Sequence, residues 1–317
     1  MINPANSAFS AVKTKPPLIV IVGPTAVGKT EIAIQLAERL NGEIVSADSR
    51  IFYRGMDIGT AKPALAERAR VPHHLIDVAD PDETWSLAMF QKAAAEAIAD
   101  IHKRGKLPFL AGGTGQYVRA LTQGWSPPPQ PPNARLRLAL EMLAQQKGYI
   151  WLHEILKLLD PPGAEIIDPR NVRRTVRALE VIFGTGRRFS EQYRQGEPPY
   201  RLLTLGLNRP RPELYAQIDA RIEAMFAAGF LEEVKELLAR GYSPDLPSMS
   251  AIGYREGVSV VQGKMTREQA IVQMKRLTRV FVRRQGNWFR QEAPAIRWFD
   301  MQQHVVDEIE AYIHASL

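Results

Sequence analysis

The segment Gly23–Thr30, which reads GPTAVGKT, constrains the fold of this chain more than any other stretch. It matches every fixed position of the phosphate-binding loop pattern G-x-x-x-x-G-K-[ST]. The residues before it, 18–22, form a continuous apolar run that is typical of a strand buried on both faces. The residues after it, 30–40, repeat apolar side chains at helical spacing. A strand, a glycine-rich loop and a helix therefore follow one another in the order that a phosphate site requires.

This loop is predicted to hold a diphosphate or a triphosphate. Its glycines let several backbone N–H groups point inward, and the N-terminus of the following helix adds positive potential. Lys29 is expected to contact the outer phosphate, and the hydroxyl of Thr30 is the predicted ligand of Mg²⁺. The predicted phosphate-binding residues are Gly23, Pro24, Thr25, Ala26, Val27, Gly28, Lys29 and Thr30.

The rest of the first part of the chain alternates strand patterns with helix patterns. Apolar runs at 43–47 and 107–111 predict two further strands, and a helix pattern lies between them at 86–104. This alternation predicts an α/β fold, a P-loop NTPase-like parallel sheet flanked by helices. Ligands of such sheets gather at the carboxyl edge of the strands. We therefore expect the phosphate loop to lie close to Asp48-Ser49 and to Gly112–Thr114.

A proline-rich run at 127–132 interrupts this alternation. Such a run is typical of a stiff linker and indicates a domain boundary. Helix patterns follow it, until a buried-strand pattern resumes at 202–207. We therefore predict three parts. These are a flexible leader over 1–17, a core domain over 18–129 and 200–317 that includes C-terminal helices, and a helical insertion domain over 130–199.

The composition favours a polyanionic partner. Lysine and arginine number 41 against 34 aspartates and glutamates, and the sequence pI is about 9.6. The positive charge is concentrated in residues 133–211 and 264–290, and the second region contains a single acid, Glu268. The absence of cysteine excludes disulfides and thiolate metal sites. No stretch has the pattern of a signal peptide or a membrane span, so we expect a cytoplasmic protein.

Asp48 is the strongest candidate for a catalytic carboxylate. It directly follows a predicted strand at the edge where phosphates bind, which suits proton abstraction from an attacking nucleophile. The alternative is an aspartate that caps a helix or a turn. A phosphate-hydrolysing enzyme places a second Mg²⁺ carboxylate after an apolar strand, but strand 107–111 runs into glycines instead. Asp77 is a weaker substitute for such a ligand, because its strand is short.

Several blocks of the sequence resemble the tRNA dimethylallyltransferases, also called isopentenyl-tRNA transferases. The long block from Asp48 to Pro63 is highly specific. Val27 stands where the family usually has serine, and Gln116 where leucine is common, but neither position supplies a required catalytic group. The matching blocks are Gly23–Thr30, Ser46–Arg50, Tyr53–Pro63, His73–Asp77, Gly112–Tyr117, Arg177–Val181 and Ile252–Arg255.

The resemblance implies a reaction. A dimethylallyl group passes from dimethylallyl diphosphate to N6 of the adenine immediately 3′ of the anticodon in tRNA, and diphosphate is released. An exocyclic amine is a weak nucleophile that must lose a proton, which gives Asp48 the role of general base. The adenine must leave its stack, which calls for a large basic surface on the anticodon arm. The implied partners are the tRNA anticodon arm and dimethylallyl diphosphate, the implied cofactor is Mg²⁺, and we expect a monomer.

The resemblance also assigns roles to residues. Asp48 is the implied base, Lys29 and Thr30 act on the leaving diphosphate, and Arg221 is the implied second cation there. Arg135 aligns with a tRNA contact, although Arg137 is an alternative alignment. The residues implied to contact tRNA are Asp48, Ser49, Arg50, Ile51, Thr114, Arg135, Arg173, Arg174, Thr175, Val176, Arg177, Ser250, Ala251, Ile252, Gly253, Tyr254 and Arg255.

From charge alone we add one further tRNA contact, the basic helix pattern at 264–290. Lys275, Arg276, Arg279 and Arg283 fall near one face of it, and Lys275, Arg279 and Arg283 are expected to contact phosphates. The alternative is that this face is only solvated.

Two other functions stay open. A small-molecule or nucleotide kinase would use the same loop and would consume ATP. An RNA-binding switch would use a nucleotide only to change shape, and it would leave Asp48 without a role.

Overall fold

We describe the fold from a computed structural model, in which residues 15–128, 131–192, 194–289, 293 and 295–317 are described. Most of the predicted leader, residues 1–14, lies outside the described residues, as do residues 129–130 of the proline-rich run. The strands are β1 (Pro17–Val22), β2 (Gly42–Ser46), β3 (His73–His74), β4 (Leu107–Ala111), β5 (Trp125–Ser126), β6 (Arg194–Gln195), β7 (Arg201–Asn208) and β8 (Ile296–Asp300).

The helices lie between and after these strands. A short 3₁₀ helix, Ser248–Ser250, precedes α12. The α-helices are α1 (Lys29–Arg39), α2 (Leu65–Arg70), α3 (Leu87–Lys103), α4 (Gly115–Thr122), α5 (Ala134–Lys147), α6 (Tyr149–Leu159), α7 (Pro161–Glu165), α8 (Val172–Thr185), α9 (Phe189–Gln192), α10 (Arg211–Ala227), α11 (Phe230–Ala239), α12 (Tyr254–Val261), α13 (Arg267–Trp288) and α14 (Val305–Ser316).

Six strands form one parallel sheet in the order β3-β2-β4-β1-β7-β8. In β1, Ile19 lies opposite Phe109 of β4 on one side and Leu203 of β7 on the other. Residues 18–22 of β1 are fully buried, as a continuous apolar run predicts for a central parallel strand. Helices α1, α10 and α14 pack their apolar residues into the core beside this sheet. The structure therefore confirms the predicted α/β class and the parallel sheet flanked by helices.

The chain divides into two compact units. The first comprises, as far as the structure describes it, residues 15–85, 93–118 and 198–317. The second comprises residues 86–92 and 119–197, so it contains nearly all of the predicted insertion but begins earlier. The Gln91 side chain accounts for part of this difference, because it donates hydrogen bonds to the carbonyl oxygens of Ala120 and Trp125.

The second unit has a core of its own. Helices α5, α6 and α8 enclose it, and the buried Asp160 accepts hydrogen bonds from the backbone N–H groups of Gly163 and Ser190. Outside these helices, β5 and β6 pair as a short antiparallel ribbon. The buried core residues are Leu140, Ala144, Leu152, Leu156, Ala164, Ile167, Val176, Ala178 and Leu179.

Short elements are the part of the fold that the sequence patterns did not predict. β3, β5 and β6 contain two residues each, too few for any alternation of apolar and polar side chains to be visible. Among the described residues, no helix has both the length and the apolar character needed to cross a membrane.

Candidate active site

The carboxyl ends of β1, β2 and β4 meet at one edge of the sheet. Ser46, the last residue of β2, lies opposite Ala111, the last residue of β4, and Ala111 also pairs with β1. The segments that leave these strands are therefore neighbours. The phosphate loop (Gly23–Thr30) follows β1, Asp48 follows β2, and a glycine loop (Gly112–Thr114) follows β4. The structure brings these three segments together, as the rule for parallel sheets predicts.

The glycine loop holds the segment that carries Asp48. The N–H of Thr114 donates to the carbonyl of Ala47 at 3.2 Å, and the N–H of Ser49 donates to Oγ1 of Thr114 at 3.1 Å. A Cβ atom on Gly112 would lie 2.3 Å from the carbonyl oxygen of Ala47, so this close approach requires glycine. Asp48 is thus fixed by its neighbours on both sides.

The phosphate loop contains residues with unusual backbone conformations. Gly28 has φ +107°, and the non-glycine residue Ala26 has φ +63°, a conformation that costs about 1–2 kcal/mol. The Lys29 ammonium donates hydrogen bonds to the carbonyl oxygens of Gly23 at 3.1 Å and Pro24 at 2.8 Å. The lysine side chain therefore folds back across its own loop.

Two cations and one carboxylate interact at this edge. Burial lowers the pKa of Lys29 to about 8, the nearby Asp48 carboxylate opposes this shift, and the Arg221 guanidinium adds to it. Burial also lowers the pKa of Arg221, against the attraction of Asp48. Desolvated cations in a cavity are well suited to bind an anion, because the anion replaces the water that they lack.

Asp48 keeps one carboxylate oxygen available. Its Oδ1 accepts a hydrogen bond from the N–H of Arg50 at 2.9 Å, and its own N–H donates to Oγ of Ser46 at 3.3 Å. Within the part of the chain that the structure describes, Oδ2 accepts no hydrogen bond from protein. The turn that the alternative interpretation proposed for Asp48 is therefore present, but it uses only one of the two oxygens.

Two cavities meet at this carboxylate. The larger has a volume of about 510 Å³ and the smaller about 320 Å³. The smaller is lined by Lys29 and Thr30 together with Ser46, so it contains the residues that were predicted to bind phosphate. The residues that line both cavities are Thr25, Ala26, Asp48, Thr60 and Arg221.

The larger cavity combines apolar and cationic walls. Met225 of α10 and Phe281 and Trp288 of α13 line it, together with the exposed Arg284. Phe281 is 40% exposed, which is unusual for a large aromatic side chain. Exposed aromatic and guanidinium groups beside a cavity can stack on an unpaired base.

The residues present also fit the expected magnesium ion. Thr30 is exposed at the first turn of α1 and lines the smaller cavity with Asp48. Among the described residues, no cluster of three or more histidine, aspartate or glutamate side chains could hold a metal alone. This sparse set suits Mg²⁺, which commonly takes one or two protein oxygens and completes its shell with substrate phosphates and water.

The predicted contact segment Ser250–Arg255 divides into two groups. Ser250, Ala251 and Ile252 line the larger cavity, and the Arg255 side chain is exposed. Tyr254 is fully buried, and its hydroxyl donates to Oε1 of Glu233 at 2.5 Å. The side chain of Tyr254 therefore supports this segment from the core and does not face a bound RNA.

In the second unit, the predicted contact residues of α8 also include both exposed and buried side chains. Arg173 and Arg174 are exposed in its first turn, whereas Thr175 and Val176 are buried and position the helix. Arg177 donates to the buried carboxylate of Glu180 at 2.8 Å.

Either Arg135 or Arg137 aligns with a tRNA contact of the family, and the contacts of Glu180 help to choose between them. Arg137 donates to the same carboxylate at 2.9 Å, whereas Arg135 is exposed. Burial raises the pKa of Glu180, but Arg137 and Arg177 outweigh it and the net shift is downward. Arg137 is thus tied to Glu180 by an ion pair, whereas Arg135 is exposed, which favours Arg135 as the arginine that contacts RNA.

Helix α13 corrects the prediction from charge alone. Lys275 pairs with Glu223 at 2.7 Å and Arg279 with Asp219 at 2.6 Å, so both side chains attach α13 to α10. Arg283 is exposed, as are its neighbours Arg276 and Arg284. Among the described residues no ion pair involves these last three, and they form the free basic surface of α13 (Arg276, Arg283 and Arg284).

Asp77, the weaker candidate for a second metal ligand, is bound elsewhere. Lys62 donates to its Oδ1 at 2.5 Å and Arg68 to its Oδ2 at 2.6 Å. Burial raises the pKa of Asp77, but these two cations outweigh it and the net shift is downward. Both oxygens are thus occupied by cations of the protein, which makes Asp77 a structural carboxylate.

Three residues that line the cavities were not among the predicted site residues. Thr60 lines both cavities, and Trp288 and Gln285 of α13 line the larger one. Thr60 lies inside the matching block Tyr53–Pro63, which could have indicated it. Gln285 is a polar residue on the buried face that helical spacing gives α13, which is also a local signal. Trp288 had no such signal, because its place at the cavity depends on how distant segments pack.

Comparisons with known proteins find relatives along most of the chain. The family model described as IPP transferase matches residues 51–292. A relative named tRNA dimethylallyltransferase, from Roseiflexus sp. (strain RS-1), is 57% identical over 274 residues, which cover 86% of this chain and 90% of the relative.

Two solved structures extend the comparison to the fold. The full-length tRNA isopentenylpyrophosphate transferase from Bacillus halodurans is 43% identical, with a TM-score of 0.71, and the match covers 95% of this chain and 96% of that one. A eukaryotic dimethylallyltransferase, described in crystallographic snapshots as acting on tRNA, is 29% identical with a TM-score of 0.76. That match covers 95% of this chain and 77% of the eukaryotic one.

Proposed function

This chain belongs to the IPP transferase family, and on that premise we propose how its site transfers a dimethylallyl group to tRNA. The family makes the protein a transferase that modifies tRNA. We further propose that the donor is dimethylallyl diphosphate. The proposed acceptor is N6 of the adenine immediately 3′ of the anticodon.

The observation that carries this proposal is the meeting of two cavities at Asp48. The smaller cavity has the phosphate loop and Lys29, which suit a diphosphate, and the larger has aromatic and apolar walls, which suit a base. A donor and an acceptor that enter from these two cavities meet where Asp48 and Arg221 line both. This arrangement holds two reactants in one place, which is a large part of the rate enhancement of a two-substrate reaction.

In the proposed reaction, adenine N6 forms a bond to the donor carbon that carries the diphosphate oxygen. The carbon–oxygen bond breaks, and the diphosphate leaves with the electron pair. N6 loses one proton, which the free Oδ2 of Asp48 accepts. Asp48 suits this role because its Oδ1 is already held by Arg50, so the side chain is oriented before substrate arrives.

The leaving diphosphate gains negative charge as the bond breaks. Lys29, Arg221 and the N–H groups of the phosphate loop are proposed to stabilise this charge. Mg²⁺, held by Thr30 and the phosphates, would supply further charge neutralisation on the leaving group. The Lys29 ammonium has three N–H donors and gives two of them to loop carbonyls, so the third is proposed to bind a phosphate oxygen.

The tRNA is proposed to contact the exposed members of the predicted set. In the first unit these are Ser250, Arg255, Arg276 and Arg283, and we add Arg284, the third member of the free basic surface of α13. In the second unit they are Arg135, Arg173 and Arg174. Such cations supply affinity through phosphates and leave the choice of base to the cavity. We also propose that the protein acts as a monomer in the cytoplasm, where its tRNA substrate is available.

A comparison of ATP with dimethylallyl diphosphate tests this function against the two alternatives. We expect dimethylallyl diphosphate to bind with Mg²⁺ and to be consumed only when an anticodon-arm RNA is present. ATP should at most compete for the phosphate loop and should not be hydrolysed. Consumption of ATP would indicate a kinase, and RNA binding that requires a nucleoside triphosphate would indicate a switch.

A further inference from the structure

Gln285 is a polar side chain buried on the apolar face of α13. It is 4% exposed, and its neighbours on that face, Met274 and Val282, are also buried. Both ends of its amide are hydrogen bonded: Oε1 accepts from the N–H of Thr25 at 2.8 Å, and Nε2 donates to the carbonyl of Gly113 at 3.1 Å. An N–H partner requires the oxygen and a carbonyl partner requires the nitrogen, so these bonds fix the orientation of the amide.

The two partners belong to different loops of the active site. Thr25 is part of the phosphate loop and lines both cavities. Gly113 is part of the glycine loop, whose next residue, Thr114, holds the backbone N–H of Ser49. One side chain therefore joins the loop for the diphosphate to the loop that fixes the segment of the proposed base.

The backbone of both loops shows how closely they fit this amide. A Cβ atom on Gly113 would lie 2.4 Å from Nε2 of Gln285, so any other residue there would displace the amide. Ala26, which follows Thr25, has φ +63° and needs neighbouring contacts to keep that conformation. The hydrogen bond at Thr25 is such a contact.

We propose that Gln285 is a positioning residue for the transfer reaction. Its amide holds the phosphate loop at a fixed separation from the glycine loop, so the loop is already shaped when the diphosphate arrives. Without this bridge, binding must also order the loop, which weakens affinity for the diphosphate. The inference rests on the proposed function only for the identity of the donor, dimethylallyl diphosphate.

Three substitutions disrupt the bridge in different ways. Gln285→Met has a similar volume but makes neither hydrogen bond. Gln285→Asn keeps the amide but is shorter by one methylene group, so it cannot reach both loops. Gly113→Ala leaves the glutamine in place and displaces its amide. Gln273→Met is the matched control, because Gln273 lies on the same helix and lines neither cavity.

The measurements are KM for dimethylallyl diphosphate and kcat at saturating tRNA, together with calorimetric binding of inorganic diphosphate in Mg²⁺. We expect KM and the diphosphate Kd to rise about tenfold or more in the two Gln285 variants and in Gly113→Ala, with kcat within about threefold. The control should match the wild type in all three quantities. A thermal unfolding transition for each variant shows which of them are folded. If Gln285→Met does not fold, the measurements on Gln285→Asn and Gly113→Ala test the positioning role.

Binding within about twofold of wild type in a folded Gln285→Asn or Gly113→Ala variant would overturn the positioning role. A tenfold or larger loss in kcat with no change in KM would also overturn it. That pattern belongs to a group that acts only in the transition state. A wild-type protein that binds diphosphate but modifies no tRNA would refute the proposed function instead. The binding of inorganic diphosphate would still decide the role of Gln285.

Discussion

Asp48 interacts with both cations of the site, and this determines what a substitution there should change. Asp48→Asn removes the proton acceptor but keeps the size of the side chain and an oxygen for the Arg50 N–H. We expect kcat to fall by about 10²–10⁴-fold, the usual contribution of a general base. Affinity for dimethylallyl diphosphate should stay the same or increase, because a negative charge next to the diphosphate is lost. Single-turnover rates and calorimetric titration measure the two effects separately.

The competing interpretation of Asp48 predicts the opposite pattern. If it were only a turn residue, Asp48→Asn would lower the unfolding temperature while activity per folded molecule remained near wild type. Asp77→Asn is the control variant, because both oxygens of the Asp77 carboxylate already form ion pairs with Lys62 and Arg68. It should lower stability with a much smaller effect on rate.

Lys29 gives the site a dependence on pH whose sign follows from burial. Its pKa in the free protein is lowered to about 8, so the ammonium is present below that pH and is lost as pH rises through it. An anion binds the protonated form, and we therefore expect affinity for dimethylallyl diphosphate to be constant below about pH 8 and to fall above it. In Lys29→Gln the affinity should be lower throughout and lack this decline. Titrations across this pH range in both proteins measure the difference, and a wild-type affinity that stays flat well above pH 8 would contradict the account.

At the scale of elements, α13 carries two kinds of cation. Lys275 and Arg279 pair with acids of α10, whereas the free basic surface of α13 has no such partners among the described residues. The double variant of Arg283→Gln and Arg284→Gln should weaken tRNA binding. It should also reduce the slope of log affinity against log salt by roughly 0.7–0.9 for each RNA phosphate that the variant no longer binds.

The double variant of Lys275→Gln and Arg279→Gln is the matched control, with the same loss of charge from the same helix. It should lower the unfolding temperature more and change the salt slope less. Equal salt slopes in the two double variants would mean that the pairing with α10 does not decide which cations of α13 reach the RNA.

The α11–α12 region supports the loop that carries Thr60. Glu233 accepts hydrogen bonds from the N–H groups of residues 57–59 and from the hydroxyl of Tyr254. Tyr254→Phe removes only the last of these and leaves the half-buried Glu233 carboxylate with one donor fewer. We expect a loss of about 1–3 kcal/mol in the free energy of unfolding, measured by urea denaturation, with tRNA affinity unchanged. A selective loss of tRNA affinity at full stability would show that this tyrosine contacts RNA after all.

The sequence predicted those parts of the fold that depend on neighbours in the chain. The run 18–22 became the central strand β1, and the loop after it has the expected glycine conformations. Asp48 was predicted as a site residue for the same reason, because the end of a strand can be recognised from the residues next to it in the chain. The hydrogen bond between Thr25 and Gln285 joins positions 260 residues apart, and no local pattern encodes such a contact.

Charge patterns show the same limit. The count of cations in 264–290 was correct, but it could not show that Lys275 and Arg279 face acids of another helix. Likewise, the predicted block 250–255 has three residues that line the larger cavity, but the burial of Tyr254 follows from packing against α11. Resemblance identifies which segments matter, and only the structure separates the side chains that face the ligand from those that support them.

On the scale of the whole molecule, both compact units carry exposed cations that are proposed to contact tRNA, and the first unit contains both cavities of the site. The net charge of +7 is consistent with a polyanionic substrate. A chain that only bound RNA would need neither the desolvated Lys29 and Arg221 nor the free oxygen of Asp48. These features together support the proposal that the reaction takes place where the cavities meet.

The central claim is that this protein adds a dimethylallyl group to N6 of the adenine next to the anticodon. The direct test is mass spectrometry of an anticodon-arm RNA after incubation with the protein, dimethylallyl diphosphate and Mg²⁺, followed by nuclease digestion. We predict that one adenosine, the one immediately 3′ of the anticodon, gains the mass of one dimethylallyl group in place of a hydrogen, and that Asp48→Asn forms almost none of this product. RNA that remains unmodified with the wild-type protein, or that carries the added mass at another nucleotide, would contradict the account.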